Sequence, residues 1–255
     1  MEIQARKNKI ENDVFEELCG AIGREYVFDN IEERECYSFD TTNVKSMPDL
    51  VITPHSTEQV SSALSIANKH NISVCTRKAG IDLTGGAVPI KGGIALDLKN
   101  MNRIVELNAS DLTISVEPGV VTNDLQREVE KFRLFYPPES GGKSFSTIGE
   151  RVAECTGGMT GMKYGVTREY VLALEIVLPD GSIINAGRKT LKSVAGYDLA
   201  RFFVGSEGTL GVFTKITLKL LPMPEKTSTV ISFFRNIDSA LNTTDSILMK
   251  NHLNL

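Results

Sequence analysis

The chain has 255 residues, 41% of them hydrophobic and 24% charged, enough apolar side chain to bury one large core or two small ones. Its formal net charge of −4 argues against nucleic acid as a partner, because polyanion affinity rests on a basic face. Cys19, Cys36, Cys75 and Cys155 form no CxxC pair, and His55, His70 and His252 form no HxH or HExxH, so neither a disulfide framework nor a metal site is expected.

The first twenty residues carry charges throughout and no stretch approaches 18 continuous apolar residues. No signal peptide or membrane span is read, and a cytoplasmic protein is expected.

Ile10, Val14, Phe15, Leu18 and Ile22 recur at helical spacing and predict an amphipathic helix over 9–23, within an N-terminal helical segment of residues 1–47. Residues 33–40 read as a loop. Leu50-Val51-Ile52 is a short buried strand, and Ser56 to Gln59 opens a helix with Val60, Ala63, Leu64 and Ala67 on its apolar face and Thr57 as its N-cap. Ile72 to Cys75 is a second strand. This β-α-β order implies parallel neighbours joined by a right-handed crossover. Ile94 to Leu98 is a third strand and Ile104 to Leu107 a fourth.

From Leu112 the pattern changes. Thr113 to Glu117 alternates with period two, Pro118-Gly119 turns, and Val121 to Phe132 returns to helical spacing. A short helix near 147–155 precedes a glycine loop and the strand Tyr170 to Leu178, which Pro179-Asp180-Gly181 turns into Ser182 to Asn185. Val212, Thr214, Ile216, Leu218 and Leu220 alternate in the clearest half-buried strand. Beyond Pro222-Met223-Pro224, a strand over Val230 to Phe234 and a helix over Ile237 to Met249 begin a further unit. The expected organisation is a parallel subdomain over about 48–110, an antiparallel one over about 111–224, and a truncated unit over 225–255.

Glycine is dense between the strands of 147–220, at Gly157-Gly158, Tyr164-Gly165 and Gly205 to Gly211. Such placement lets backbone come close to something other than a side chain, read here as a cofactor. Two rival motifs fail. Gly141-Gly142-Lys143-Ser144 mimics the end of a P-loop, but Pro137 stands where its first glycine is required. Ser206 lacks the G-x-S-x-G nucleophile elbow. Asp198 is read as the cap of a helix starting near Leu199.

Pro48-Asp49-Leu50-Val51, Glu117-Pro118-Gly119, Tyr136-Pro137-Pro138, Thr147-Ile148-Gly149, Lys163 to Arg168, Leu178 to Gly181 and Gly205 to Gly211 follow one another in an order that resembles a known family. The resemblance, over about 48–225, is to the FAD-binding domain of the vanillyl-alcohol oxidase and p-cresol methylhydroxylase superfamily, in the branch of D-lactate dehydrogenases and glycolate oxidase flavin subunits. It implies an α+β, two-subdomain fold with a small parallel α/β subdomain and a larger mixed or antiparallel one. FAD lies between them, its pyrophosphate held by backbone N–H groups of glycine-rich turns. Carried onto this chain, the first turn is Arg77, Lys78, Ala79, Gly80, Ile81, Asp82, Thr84 and Gly85. The second comprises Thr147, Ile148, Gly149, Cys155, Gly157 and Gly158. Pro118, Gly119, Ser144, Tyr164, Gly165, Val166, Glu207, Gly208 and Val212 complete the cofactor set.

Relatives carry Arg-Gly-Gly-Gly-Thr or Arg-Gly-Ala-Gly-Thr where this chain has Arg77-Lys78-Ala79-Gly80-Ile81, and Ile-Gly-Gly-Asn-Val-Ala where it has Ile148-Gly149-Glu150-Arg151-Val152-Ala153. Glu150 brings negative charge to the expected pyrophosphate position, and Arg151 beside it is expected to offset that charge. No histidine or cysteine lies in the first turn, so the flavin is expected to be non-covalent.

The activity implied is oxidation of a small 2-hydroxy acid, of D-lactate or glycolate type, to the 2-keto acid. Electrons pass on to a quinone, a cytochrome, an iron–sulfur subunit or an electron-transferring flavoprotein. Catalytic residues are not assigned, since in this branch they belong largely to the substrate or cap domain, of which 225–255 would be the start. The alternative is a scaffold subunit that keeps the fold without cofactor or catalysis.

Overall fold

The computed structural model describes residues 10–77, 80, 84–138, 141–192 and 194–249. The chain divides into two compact units, Met1–Pro222 and Met223–Leu255.

In the first unit, helix α1 (Asn12–Ile22) turns Val14, Leu18, Cys19 and Ile22 inward, the spacing of one helical face. Strand β1 (Val27–Phe28) follows, and then α2 (Ile31–Cys36), which falls where the sequence reading has a loop at its 33–36 end. Asn30 makes this helix possible by accepting the Glu33 N–H at 2.8 Å, and Glu32 and Glu33 in the first turn favour its positive end.

Strand β2 (Leu50–Ile52) is wholly buried, and α3 (Thr57–Lys69) packs against α1. The cap of α3 is Ser56, whose Oγ accepts the Gln59 N–H at 3.3 Å, and not Thr57. The Thr57 hydroxyl instead donates to Glu175 Oε1 at 2.9 Å. Strands β3 (Val74–Arg77) and β4 (Ile94–Asp97) complete a sheet ordered β1-β2-β4-β3, in which β2, β4 and β3 run parallel and β1 is antiparallel. Leu18, Ile52, Val60, Ile94 and Leu96 form its core with α1 and α3. Each such aliphatic side chain contributes about 1.5–3 kcal/mol by leaving water.

Strand β5 (Ile104–Asn108) does not join this parallel group, as the sequence reading has it. It pairs antiparallel with β6 (Thr113–Val116). Helix α4 (Thr122–Glu130), the short strand β7 (Leu134–Phe135), helix α5 (Ile148–Glu154) and the one-turn α6 (Gly161–Tyr164) follow. Next come β8 (Val171–Val177), β9 (Ile183–Gly187), α7 (Leu199–Phe203), β10 (Val212–Lys219) and β11 (Leu221–Pro222). The second sheet is antiparallel throughout, in the order β5-β6-β10-β8-β9, and β11 pairs with β7. Central β10 buries Val212, Ile216 and Leu218, and its Thr217 hydroxyl meets that of Ser115 at 2.9 Å. Asp198 caps α7 through the Arg201 N–H at 3.2 Å.

Both sheets meet in one place. Val177 and Val212, at the ends of β8 and β10, belong to the core under the parallel sheet. Ser61 on α3 donates to Gly181 O at 2.6 Å in the β8–β9 turn. The carboxyl ends of β3 and β4 are thereby held beside α5 and the 205–211 turn.

In the second unit, α8 (Ile237–Met249) begins after Asn236, whose side chain accepts the Ser239 N–H at 2.9 Å. Val230–Phe234, expected as a strand, has no regular structure. A strand needs a neighbour for its backbone groups, and no strand is described within 223–249.

Candidate functional site

A cleft opens in the first unit at the carboxyl ends of β3 and β4. Thr76, Arg77, Gly86, Ala87 and Leu98 form one wall, Thr147, Gly149, Glu150, Ala153 and Glu154 along α5 a second, and Glu207, Gly208, Gly211, Val212 and Phe213 a third, with Pro118 between. Parallel sheets place ligands at this end, where loops diverge after the last strand residues.

Helix α5 faces the cleft for a local reason. Thr147 Oγ1 accepts the Glu150 N–H at 3.4 Å, and Glu150 Oε2 accepts the Thr147 N–H and hydroxyl, each at 3.0 Å, a reciprocal capping box. Ile148 and Val152 enter the core, which leaves Gly149 and Ala153, one turn apart, on the cleft side. Gly149 has no room for a side chain: a Cβ there would lie 2.7 Å from Pro118 Cβ, and its N–H donates to Pro118 O at 2.8 Å.

Arg77, the last residue of β3, is buried. Its Nη1 donates to Phe39 O at 2.9 Å and to Tyr37 O and Ala87 O at 3.2 Å, while Nε is buried with no hydrogen-bond partner among the described residues. A buried guanidinium N–H without an acceptor is costly, and a cleft-bound acceptor would relieve that cost. Thr84 Oγ1 reaches Glu207 Oε2 at 3.5 Å from the opposite wall.

The residues expected from the sequence divide into four groups. Arg77, Pro118, Thr147, Gly149, Glu207, Gly208 and Val212 line the cleft, and Gly80, Thr84 and Gly85 belong to the adjoining turn. Lys78, Ala79, Ile81 and Asp82 lie outside the described residues. The others are not among the lining residues. Gly119 packs behind the wall, where a Cβ would meet Leu98 O at 2.5 Å. Ile148 is in the core, Ser144 is exposed, and Cys155 ends α5 in the left-handed conformation with φ 54°. Gly157 and Gly158 are exposed, Tyr164 stacks edge-on against Phe135, and Gly165 and Val166 wrap the Glu169 carboxylate.

Arg151 is not among the residues that line the cleft. It is fully buried behind α5, where Nε donates to Ser146 Oγ at 3.0 Å and Nη1 to Pro138 O at 3.2 Å. The Glu150 carboxylate is engaged by the cap of its own helix, through the Thr147 N–H and hydroxyl.

Lining residues that the sequence reading omits are Thr76, Gly86, Ala87, Leu98 and Phe213, while Glu150, Ala153, Glu154 and Gly211 fall within its glycine-bearing turns without being assigned as contacts. The four-residue spacing of Glu150 and Glu154, and of Gly149 and Ala153, is the signal that would have assigned them to one helix face.

A profile described as FAD binding domain matches residues 48–187, more than half of the chain. The chain belongs to the FAD binding domain family. It is 46% identical over 240 residues to the glycolate oxidase subunit GlcD of Bacillus subtilis, covering 94% of this chain and 51% of that protein. It is 36% identical over 243 residues to the D-lactate dehydrogenase of Anaerostipes hadrus, covering 95% and 51%. The chain spans about half the length of these curated relatives. Among solved structures, p-cresol methylhydroxylase with substrate bound superposes with a TM-score of 0.73 at 21% identity, over 88% of this chain and 45% of that one. That likeness shows the fold, the p-cresol methylhydroxylase type of FAD-binding domain.

The cleft of this FAD binding domain fits its cofactor. Gly149, Gly208 and Gly211 present backbone on two walls, Arg77 supplies a cation with an unpartnered N–H, and Leu98, Val212 and Phe213 give apolar surface for a planar ring system. Among the described residues no group of three or more His, Cys, Asp or Glu side chains is placed to hold a metal ion. No described helix is long and apolar enough to cross a membrane.

Proposed function

We propose that the chain is the FAD-binding part of a cytoplasmic oxidoreductase that converts a small 2-hydroxy acid, of glycolate or D-lactate type, to the 2-keto acid and passes the electrons to a separate acceptor. The observation that carries this reading is the 46% identity to a glycolate oxidase subunit across 94% of the chain, combined with a cleft whose glycine-bearing walls suit a dinucleotide. FAD, when bound non-covalently, supplies hydride acceptance from the substrate α-carbon.

The chain's own residues bind and orient. Arg77 places a cation and a donor in the wall formed by β3, while Gly149 and Pro118 keep the α5 wall thin enough for backbone to approach. Leu98, Ala153, Val212 and Phe213 exclude water from that part of the cleft, which strengthens each polar contact made inside it.

The test is made on the full-length protein. It is loaded with FAD and mixed anaerobically with glycolate, D-lactate and L-lactate while the visible flavin absorption is followed. Bleaching by glycolate or D-lactate is expected; a flavin-loaded protein that none of these reduces would overturn the substrate class. Acid precipitation that leaves the colour in the pellet would overturn the non-covalent link.

A further inference from the structure

Behind the Arg77 wall of the cleft lies a buried polar network anchored by a residue far from the flavin turns in sequence. Tyr37 follows α2 and is buried. Its hydroxyl donates to Asp97 Oδ2 at 2.6 Å. Asp97 ends β4 and is paired in register with Arg77 at the end of β3. The other Asp97 oxygen accepts the Lys99 N–H at 2.9 Å, and Lys99 Nζ lies 3.1 Å from the Tyr37 hydroxyl and 3.6 Å from Asp97 Oδ2.

The same tyrosine holds Arg77 in two ways. Its ring faces the guanidinium, with Cζ 5.3 Å from the ring centroid, and its carbonyl accepts from Nη1. Nη1 also reaches Ala87 O on the far side of the turn, and Nη2 occupies the space beside Gly80, where a Cβ would lie only 1.9 Å away. A planar guanidinium tied to carbonyls of two segments cannot rotate without releasing one of them. The position of Ala87 in the cleft wall therefore depends on where Arg77 points, and Arg77 depends on the Tyr37 loop that Asp97 pins.

We propose that Tyr37 is a positioning residue of the flavin site, acting through Asp97 and Arg77 to hold the Gly86–Ala87 turn against the cleft. This rests on the flavin-binding reading given above. Tyr37→Phe keeps the ring and deletes the hydroxyl, which leaves the buried Asp97 oxygen short of a donor and Lys99 Nζ short of an acceptor.

The experiment is a double-mutant cycle on the full chain, with FAD affinity read from flavin fluorescence. Tyr37→Phe should weaken FAD binding about 5- to 10-fold, less than the full worth of a hydrogen bond to a charged group, because only the part transmitted through Arg77 reaches the cofactor. Combined with Arg77→Lys, it should weaken binding no further than Arg77→Lys alone, because both act through one group. A folded Tyr37→Phe protein with unchanged affinity, or losses that multiply, would overturn the proposal.

Amide exchange of the cofactor-free chain gives an independent readout. The Val88 N–H, bonded to Gly85 O at 3.2 Å, should exchange about tenfold faster in Tyr37→Phe while β6 and β10 keep wild-type protection. Equal rates at Val88 would sink the proposal. A wild-type chain that takes up no FAD sinks the flavin reading instead, and the exchange result then decides the positioning role by itself. Should Tyr37→Phe not fold, Asp97→Asn, which retains an acceptor for the hydroxyl, should disturb Val88 exchange less than Asp97→Ala. Equal disturbance by the two would overturn the proposal.

Discussion

Arg103 clamps Glu117. Its Nε and Nη2 lie 3.0 and 2.6 Å from the same Oε1, and its backbone N–H donates to Oε2 at 2.8 Å. The carboxylate is buried and the guanidinium exposed, so water can solvate the arginine but cannot easily reach the glutamate, whose oxygens depend on these donors. The pair joins the entry of β5 to the end of β6, directly before Pro118 in the cleft.

Glu117→Ala should therefore destabilise the protein by about 1–3 kcal/mol, the usual cost of removing a charged partner from buried hydrogen bonds. Urea unfolding measures this. Arg103→Lys should cost less, because the backbone N–H bond survives.

Gly119→Ala should be destabilising for a different reason. A Cβ there would lie 2.5 Å from Leu98 O and 2.7 Å from Met101 O, both backbone atoms that cannot rotate away. Relief requires the 98–101 link to shift, at about 1–3 kcal/mol for an overpacked site. An unfolding midpoint equal to wild type would contradict the close approach.

Gly149→Ala should act on the cleft more than on the fold. The added methyl meets Pro118 Cβ at 2.7 Å and forces α5 and Pro118 apart, in the part of the cleft where both residues form the wall. FAD affinity should fall about tenfold, equal to about 1.4 kcal/mol. Titration followed by flavin fluorescence checks it, with circular dichroism to confirm folding.

Glu175 should contribute to the acid limb of stability. Burial alone pushes its carboxyl up, but the Lys215 ammonium and the hydroxyls of Thr214 and Thr57 outweigh that and hold it below its ordinary value of 4.5. A carboxyl with a depressed folded pKa binds fewer protons when folded. Its stabilisation is present above about pH 4.5 and disappears as pH falls through the lower folded value. In Glu175→Gln, thermal midpoints measured from pH 6 to pH 3 should fall less steeply than in wild type; identical slopes would contradict the assignment.

The strand cores, the amphipathic helices α1 and α3 and the β8–β9 hairpin were all legible in the chain, because each is written in a local period of burial or a turn dipeptide. Seven of the proposed flavin contacts line the cleft, and they cluster at strand ends, helix starts and glycine turns, where backbone is available. Other expectations failed for one shared reason. Thr57 and Ser56 are both good caps by type, and only the nearness of Glu175 to the Thr57 hydroxyl decides which one caps α3. Glu150 and Arg151 are neighbours in sequence, yet a helix turns by about 100° per residue, so Glu150 lines the cleft while Arg151 is buried against Ser146 and Pro138.

The sequence by itself determined most of the elements, their order and the family, because periodicity and glycine placement are local properties that need no partner. The tertiary structure decided which sheet takes β5, whether Val230–Phe234 becomes a strand, and that Tyr37 stands behind the cleft at the ends of β3 and β4. Those outcomes depend on hydrogen-bond partners that lie far away in the chain, or are missing, and an apolar or alternating pattern states that a face will be covered without naming what covers it.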